Sequence, residues 1–353
     1  MSMSLGTGAL SWEQSSCSCM GPSHVLHSFP SSSLPTSPTS SIEMLSVVEI
    51  FAVIGVLLSI SIVYRFALFV WLYFLRPSGV HKFLHGPPAY AIVTGATDGI
   101  GRAVAQELYN KGFNLILHGR NEEKMRSVVE SIRATGLRDV RYFIADASQQ
   151  GIDFVSIAER YKDLNITLVI HNVGGSSPRR CRIDGFTESE LLGIVQMNAL
   201  FPLLLTRALL PSLRASAAHG PVLVQFVGSQ GADVSPPRFA LYASSKRFLQ
   251  ALARGLDVDE RVWDGASGVR FEYAAVGEVR SQTHPVQIRV SSPSAERFAR
   301  SLVKRVGCGW RRYAPYMPHA YMQWIVELLG ETVVEKYVVK EIDQILALGE
   351  KKA

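Results

Sequence analysis

Tyr242 and Lys246 stand four residues apart in the stretch FALYASSKRFLQALARGL, Phe239 to Leu256, with small residues between them. On a helix that spacing puts both side chains on one face. A free phenol titrates near 10, too high to exchange protons readily at neutral pH. An ammonium one turn away favours the phenolate and lowers that value. Ser229, thirteen residues before Tyr242, closes an apolar run. Its hydroxyl could hold a carbonyl oxygen as negative charge develops there. The trio suits carbonyl reduction, with Tyr242 giving the proton as hydride reaches carbon. A tyrosine and a lysine at this spacing are usually ordinary helix residues, so the reading depends on a hydride source elsewhere in the chain.

That source is indicated by Thr94-Gly95-Ala96-Thr97-Asp98-Gly99-Ile100-Gly101, which follows the apolar run AYAIVTG and opens the helical pattern IGRAVAQELYNKG. Glycines there let the backbone turn tightly and approach a pyrophosphate at the helix N-terminus. Gly95, Thr97, Asp98, Gly99, Ile100 and Gly101 are therefore candidate cofactor residues. The second strand, FNLILHG, runs into Arg120 and Asn121 with no acid before Glu122. An acid would favour NAD by bonding the ribose 2′-hydroxyl, whereas Arg120 can pair with a 2′-phosphate. NADPH is the expected cofactor, with Arg120 and Asn121 against it. Asp146, at the end of VRYFIAD, could cap the adenine side.

The elements that must position these residues alternate. Helical stretches fall between the apolar runs AYAIVTG, FNLILHG, VRYFIAD, TLVIHN and GPVLVQFVGS. This predicts an α/β fold, a Rossmann-like doubly wound parallel sheet in a single domain. A later helix, PSAERFARSLVKRV, is expected to start with Ser292 as N-cap and Pro293 at its first position. The following PHAYMQWIVELLGETVVEKYVVKEIDQIL is apolar enough to lie against membrane or protein.

The glycine turn, Asn172 after the fourth strand, Ser229 after the fifth and Tyr242-Ala-Ser-Ser-Lys246 together resemble the short-chain dehydrogenase/reductase family, over about residues 88–318. Asn198, in VQMNAL, matches that family's helix asparagine. The resemblance implies a nicotinamide cofactor and a catalytic set of Asn198, Ser229, Tyr242 and Lys246. Lys246 would also hold the nicotinamide ribose, Asn198 a water leading to solvent, and Asn172 the cofactor. Where the family has Pro-Gly after strand six, this chain has Val276-Gly277-Glu278-Val279-Arg280-Ser281. Val279 and Ser281 should still reach the carboxamide and phosphates, but the missing proline leaves the shape of that loop open.

The chain has 353 residues, 47% of them hydrophobic. Residues 1–45, rich in Ser and Pro, hold no Lys or Arg and are expected to be a disordered tail. The 36 basic residues that follow face 28 of the 30 acids, a balance of about +8, which suits an anionic cofactor, acyl carrier or membrane surface. No arginine-rich run or zinc-finger spacing points to nucleic acid. No metal ligand set is evident. Cys17, Cys19, Cys181 and Cys308 read as free thiols.

Residues 46–76 contain VVEIFAVIGVLLSISIVYRFALFVWLYFL, long enough for a transmembrane or signal-anchor helix. Either the whole helix spans and Arg65 snorkels, or Val47–Tyr64 spans and Phe66–Leu75 lies in the interface. The basic residues follow the span, which places the catalytic body in the cytosol. The sequon at Asn165 and Thr167 should then carry no glycan. Residues 319–353 form a C-terminal amphipathic helical extension.

The anchor, VTGATDGIG, HNVGG and PSAERFARSLVKRVG resemble one branch of the family, the very-long-chain 3-oxoacyl-CoA reductases grouped with 17β-hydroxysteroid dehydrogenase type 12. That likeness implies an endoplasmic reticulum membrane protein reducing a lipophilic 3-oxoacyl-CoA, with other elongation enzymes as neighbours. A ketoreductase acting on a polyketide or steroid, and a non-catalytic cofactor-binding protein, remain alternatives. The stretch RRYAPYMPHAYMQW could line an apolar pocket or face a membrane.

Overall fold

The computed structural model describes residues 46–176, 181–263, 265–282, 286–329 and 331–350. The tail, with Cys17 and Cys19, lies outside them. Contacts divide the chain into residues 1–60 and 61–353. Helix α1 (Val47–Val70) has no buried residue and ends in a π-turn, Trp71–Leu75. Together they are long and apolar enough to cross a membrane.

Seven parallel strands form one sheet in the order β3-β2-β1-β4-β5-β6-β7. They are β1 (Ala89–Thr94), β2 (Asn114–Gly119), β3 (Val140–Ile144), β4 (Asn165–His171), β5 (Val222–Val227), β6 (Val269–Ala274) and β7 (Arg312–Tyr313). The order reverses between β1 and β4, which opens a crevice at the strands' C-terminal ends. The near-continuous apolar runs of β1 and β5 follow from covering both faces: every residue of each is buried.

The helices of this covering are α2 (Gly99–Lys111), α3 (Glu122–Arg133), α4 (Phe154–Glu159), α5 (Glu188–Val195), α6 (Phe201–Ala217), α7 (Gly231–Val234), α8 (Ala240–Val262) and α9 (Ala295–Arg305). On one face α2 and α9 pack with Leu108, Phe298 and Leu302 under Val93, Leu115 and Leu117. On the other, Phe201, Leu205 and Leu209 of α6 meet Leu249 of α8 beneath Val224 and Phe271. Residues 188–217 are also long and apolar enough to span a membrane, but Phe201, Leu205, Leu209 and Leu213 belong to this core, while α5 has no buried residue. Two C-terminal helices follow, α10 (Met317–Leu329) and α11 (Glu331–Glu350).

One expectation fails here for a local reason, and another loses its bearing on topology. Helix α9 starts at Ala295 with Ser294, not Ser292, as N-cap, its hydroxyl accepting from Arg297 N at 3.3 Å. Ser292 instead hydrogen-bonds Glu278, and Pro293 O accepts from Arg280 N. The sequon at Asn165 begins β4, where Thr167 is fully buried and the Asn165 amide donates to His85 O at 2.6 Å. It reports nothing about membrane sidedness.

The segment after the π-turn is tied to the body. Tyr73 donates to Ala314 O at 2.6 Å, and Arg76 and Lys82 both donate to Gly307 O, at 2.9 and 2.8 Å. The same turn's amides, Gly307 N and Gly309 N, hold the buried Glu272 carboxyl of β6. Burial pushes that carboxyl up to about 7 against the pull of those amides.

Candidate active site

The turn between β1 and α2 is fixed from three sides. Gly95 and Gly99 have φ of +65° and +52°, conformations glycine adopts without strain. Asp98 caps α2 by accepting from Gly99 N at 2.6 Å. Asn172, at the end of β4, donates its amide to Thr94 O and Gly95 O, each at 3.2 Å, so it staples the turn. A Cβ on Gly101 would lie 2.1 Å from Gly95 O, so α2 sits this close to the turn only because Gly101 has none. Thr97, Asp98, Gly99 and Ile100 line the cavity at the crevice.

His118, which the sequence reading passed over, supports this turn. Its Nδ1 faces Gly95 N at 3.4 Å and its Nε2 faces Ala145 O at 3.1 Å. Burial holds its pKa down at about 4, so the ring is neutral and serves one amide and one carbonyl at once. Arg120 is exposed on the cavity lining, and Asp146 lines it too. Burial works to raise the Asp146 carboxyl. Ser148 N and Oγ, at 3.0 and 2.8 Å, with Arg120 and His118 nearby, bring it below the usual carboxylate range. Asn121 is turned elsewhere: its side chain caps α3, accepting from Lys124 N at 2.8 Å. The helix N-terminus, not the cavity, uses it.

The structure brings Ser229, Tyr242 and Lys246 together on the same cavity. Tyr242 and Lys246 share a face of α8, with Lys246 Nζ 5.9 Å from the Tyr242 ring centroid. Lys246 is 4% exposed and donates to Val227 O at 3.2 Å. Burial depresses its ammonium to about 8. Burial also raises the Tyr242 phenol, and the opposing influence is a hydrogen bond with Ser229. The expected lowering of Tyr242 by Lys246 therefore does not dominate, because both groups are desolvated and each resists charging.

Asn198 lies behind these residues rather than on the cavity. It sits on a π-turn, Gln196–Leu200, a distortion common at functional sites. Its amide grips Gly175, accepting from N at 2.9 Å and donating to O at 3.0 Å. A Cβ on Gly174 would fall 2.6 Å from Asn198 Oδ1 and 2.7 Å from Lys246 Nζ. The Gly174–Gly175 backbone thus lies directly over both side chains. Ser229 is held by a residue the sequence did not flag. Tyr273 of β6 accepts from Ser229 N at 2.9 Å and donates to Ser229 O at 3.2 Å. Gly228 makes room, since its Cβ would meet the Tyr273 ring at 1.9 Å.

The loop after β6 has its shape without the proline. Gly277 N donates to His319 Nδ1 at 3.2 Å, and His319 Nε2 faces Ser291 O and Glu278 O at 2.9 and 3.1 Å. Gln230, next to Ser229, donates to His319 O at 2.7 Å. His319 therefore joins the loops after β5 and β6. Val279 and Ser281 line the cavity, and Ser281 Cβ approaches to 2.9 Å of where a Gly99 Cβ would stand.

The cavity, about 2670 Å³, continues past Tyr242 to apolar walls from α10 and α11, among them Met322, Ile325, Val326, Val334 and Val338. Of the aromatic stretch before them, Tyr313 joins the sheet as part of β7 and Tyr316 enters the core, while Met322 reaches the cavity.

The short chain dehydrogenase family model matches residues 89–287. The very-long-chain 3-oxoacyl-CoA reductase of Kluyveromyces lactis is 34% identical over 260 residues, covering 70% of this chain and 73% of its own length. The human inactive hydroxysteroid dehydrogenase-like protein 1 is 28% identical over 270 residues, covering 69% and 77%. Among solved structures, a short-chain dehydrogenase from Sphingobium yanoikuyae in complex with NADPH superposes with TM-score 0.57 at 17% identity, covering 67% of this chain and 91% of that one. A bulky-bulky ketone specific alcohol dehydrogenase from Comamonas testosteroni does so with TM-score 0.56 at 18% identity, covering 75% and 94%. With the matched model spanning every strand but the last, this chain belongs to the short-chain dehydrogenase family and is an oxidoreductase.

Proposed function

We propose that the chain reduces a ketone on a lipophilic substrate to a secondary alcohol with NADPH, and that the substrate is the 3-oxo group of a long-chain acyl-CoA in fatty-acid elongation. The observation that carries this is one cavity holding the glycine turn, the Ser229–Tyr242 pair beside Lys246, and the apolar wall of α10 and α11. The cofactor fits the cradle: Gly95, Gly99 and Gly174 line the cavity while packing so closely on Val173, Ser281 and Lys246 that none of them has room for a Cβ. Bound there, NADPH supplies the hydride.

The protein's own groups do the rest. The amides at the start of α2 would hold the pyrophosphate, and Arg120 the 2′-phosphate. Val279 and Ser281 close over the turn from the opposite side. Lys246, beside Tyr242, would hold the ribose hydroxyls. Ser229 donates to the substrate carbonyl oxygen, where charge develops, and Tyr242 transfers its phenolic proton to that oxygen. Asn198 acts by fixing Gly175, which holds the neighbouring Gly174 against Lys246. The Kluyveromyces relative, named for 3-oxoacyl-CoA reduction, favours the acyl-CoA substrate. The α1 segment would anchor the body to the endoplasmic reticulum membrane, single-pass, with Arg76 and Lys82 on the cytosolic side.

A non-catalytic reading has the inactive human relative in its favour. Against it stand Ser229, Tyr242 and Lys246, all present and assembled. The test is NADPH oxidation by the full chain in detergent, with a panel of 3-oxoacyl-CoA, steroid and polyketide ketones. Turnover with none of them refutes the catalytic reading; preference for a steroid or polyketide refutes the acyl-CoA assignment.

A further inference from the structure

Helix α10 carries apolar residues on two faces about a third of a turn apart. Met322, Ile325, Val326 and Leu329 line the cavity. Met317, Tyr321, Trp324 and Leu328 are 36%, 52%, 44% and 68% exposed. Their spacing of four, three and four residues makes one straight stripe, about 16 Å long at 1.5 Å per residue. Neither Lys nor Arg occurs in α10, and its one acid, Glu327, belongs to the cavity lining. A helix apolar on both sides needs an apolar medium on both. The cavity supplies one side, and nothing within the described residues covers the other.

The neighbourhood says what does. Ala320, on the flank of the stripe, packs in a cluster with Phe69, Leu72 and Tyr73, the last turns of the apolar segment. The stripe thus begins beside the place where that segment meets the body. Tyr321 and Trp324, with ring centroids 6.4 Å apart, are the residue types that settle at a membrane–water interface. At 13 residues α10 is too short to span, and the length suits a helix lying in the interface plane.

We propose that the Met317–Tyr321–Trp324–Leu328 stripe is inserted in the surface of a lipid bilayer, so that a single helix separates the membrane from the apolar wall of the cavity. This rests on reading the α1 segment as membrane-inserted, not on the identity of the substrate. An acyl chain would then reach the cavity around α10 from the bilayer without crossing water.

The test uses the full chain in phosphatidylcholine vesicles whose upper acyl chains carry bromine, a contact quencher of indole. Wild-type emission minus that of Trp324→Phe is Trp324's own signal. It should be blue-shifted, quenched several-fold by the brominated lipid and little affected by aqueous acrylamide. Quenching by acrylamide alone places the stripe in water and overturns the proposal. Quenching by neither means protein covers it, a second copy included, and overturns it too. A chain that fails to float with the vesicles overturns the anchor and the stripe together, whereas one that floats with Trp324 unquenched by lipid overturns the stripe alone. As an independent arm, Leu328→Glu should slow reduction of a long-chain ketone delivered in vesicles several-fold while leaving a short water-soluble ketone unchanged. Equal rates on both substrates refute the lateral route.

Discussion

At the cofactor end of the cavity, each turn of backbone is pinned by a side chain or by a missing Cβ. Asn172 holds Thr94 and Gly95, His118 faces Gly95, and Gly101 admits the Gly95 carbonyl. At the substrate end the lining of α10 and α11 is apolar side chain after apolar side chain, with Gln323 and Glu327 among the few polar interruptions. Directional bonds fix one geometry, whereas apolar contact is tolerant of shape. On the proposed reading, the first end holds one molecule in one pose and the second excludes water from a class of molecules.

Changes that remove a directional group should therefore cost more than changes to the apolar wall. The largest effect is expected from Tyr242→Phe, which should lower turnover by roughly 10²–10⁴ with NADPH affinity unchanged. More than about a tenth of wild-type turnover at saturating NADPH would make Tyr242 an ordinary helix residue.

Lys246→Met should lower turnover and weaken NADPH, yet relieve a buried charge. The folded ammonium titrates at about 8 against an ordinary 10.5, so between those values the unfolded chain binds more protons. Wild-type stability, measured without cofactor, should rise with pH across that window relative to the Met variant, by on the order of 3 kcal/mol. Parallel denaturation curves for the two proteins from pH 7 to 10.5 would contradict the buried ammonium.

Arg120→Ala should weaken NADPH by roughly 1.5–3 kcal/mol and NADH far less. Equal losses on titration with both cofactors would remove Arg120 from the phosphate. The smallest effect belongs to the wall: Met322→Ala should raise KM for long-chain ketones a few-fold, by about 1 kcal/mol, and leave kcat and NADPH binding alone. A loss matching that of Arg120→Ala would mean the wall positions the substrate as strictly as the turn positions the cofactor.

The same contrast explains what the sequence disclosed. Glycine spacing and the four-residue interval between Tyr242 and Lys246 are local, and local geometry is written in consecutive residues. Alternating apolar runs were enough for β1 to β5, whereas β6, VRFEYA, and the two-residue β7 were not among them. Partnerships across the fold were not legible. Tyr273 reads as one more core residue of VRFEYA until Ser229 is seen between its donor and acceptor bonds. His319 sits 42 residues from the amide it accepts. Competing local rules misled twice: a Ser-Pro pair drew the α9 cap to Ser292, two residues early, and the side chain of Asn121, expected against the cofactor, satisfies a helix end instead.

The bonds from Arg76 and Lys82 to Gly307, and from Tyr73 to Ala314, set the mechanics of the tether. A body on a loose linker sweeps a volume and finds lipid substrates by three-dimensional wandering. Here the slack is a few side-chain torsions. With the α1 segment inserted in a membrane, as proposed, the body would move as that segment moves and its search would be confined to two dimensions; removing the bonding groups of Tyr73, Arg76 and Lys82 together would return the missing degrees of freedom without touching a residue of the cavity.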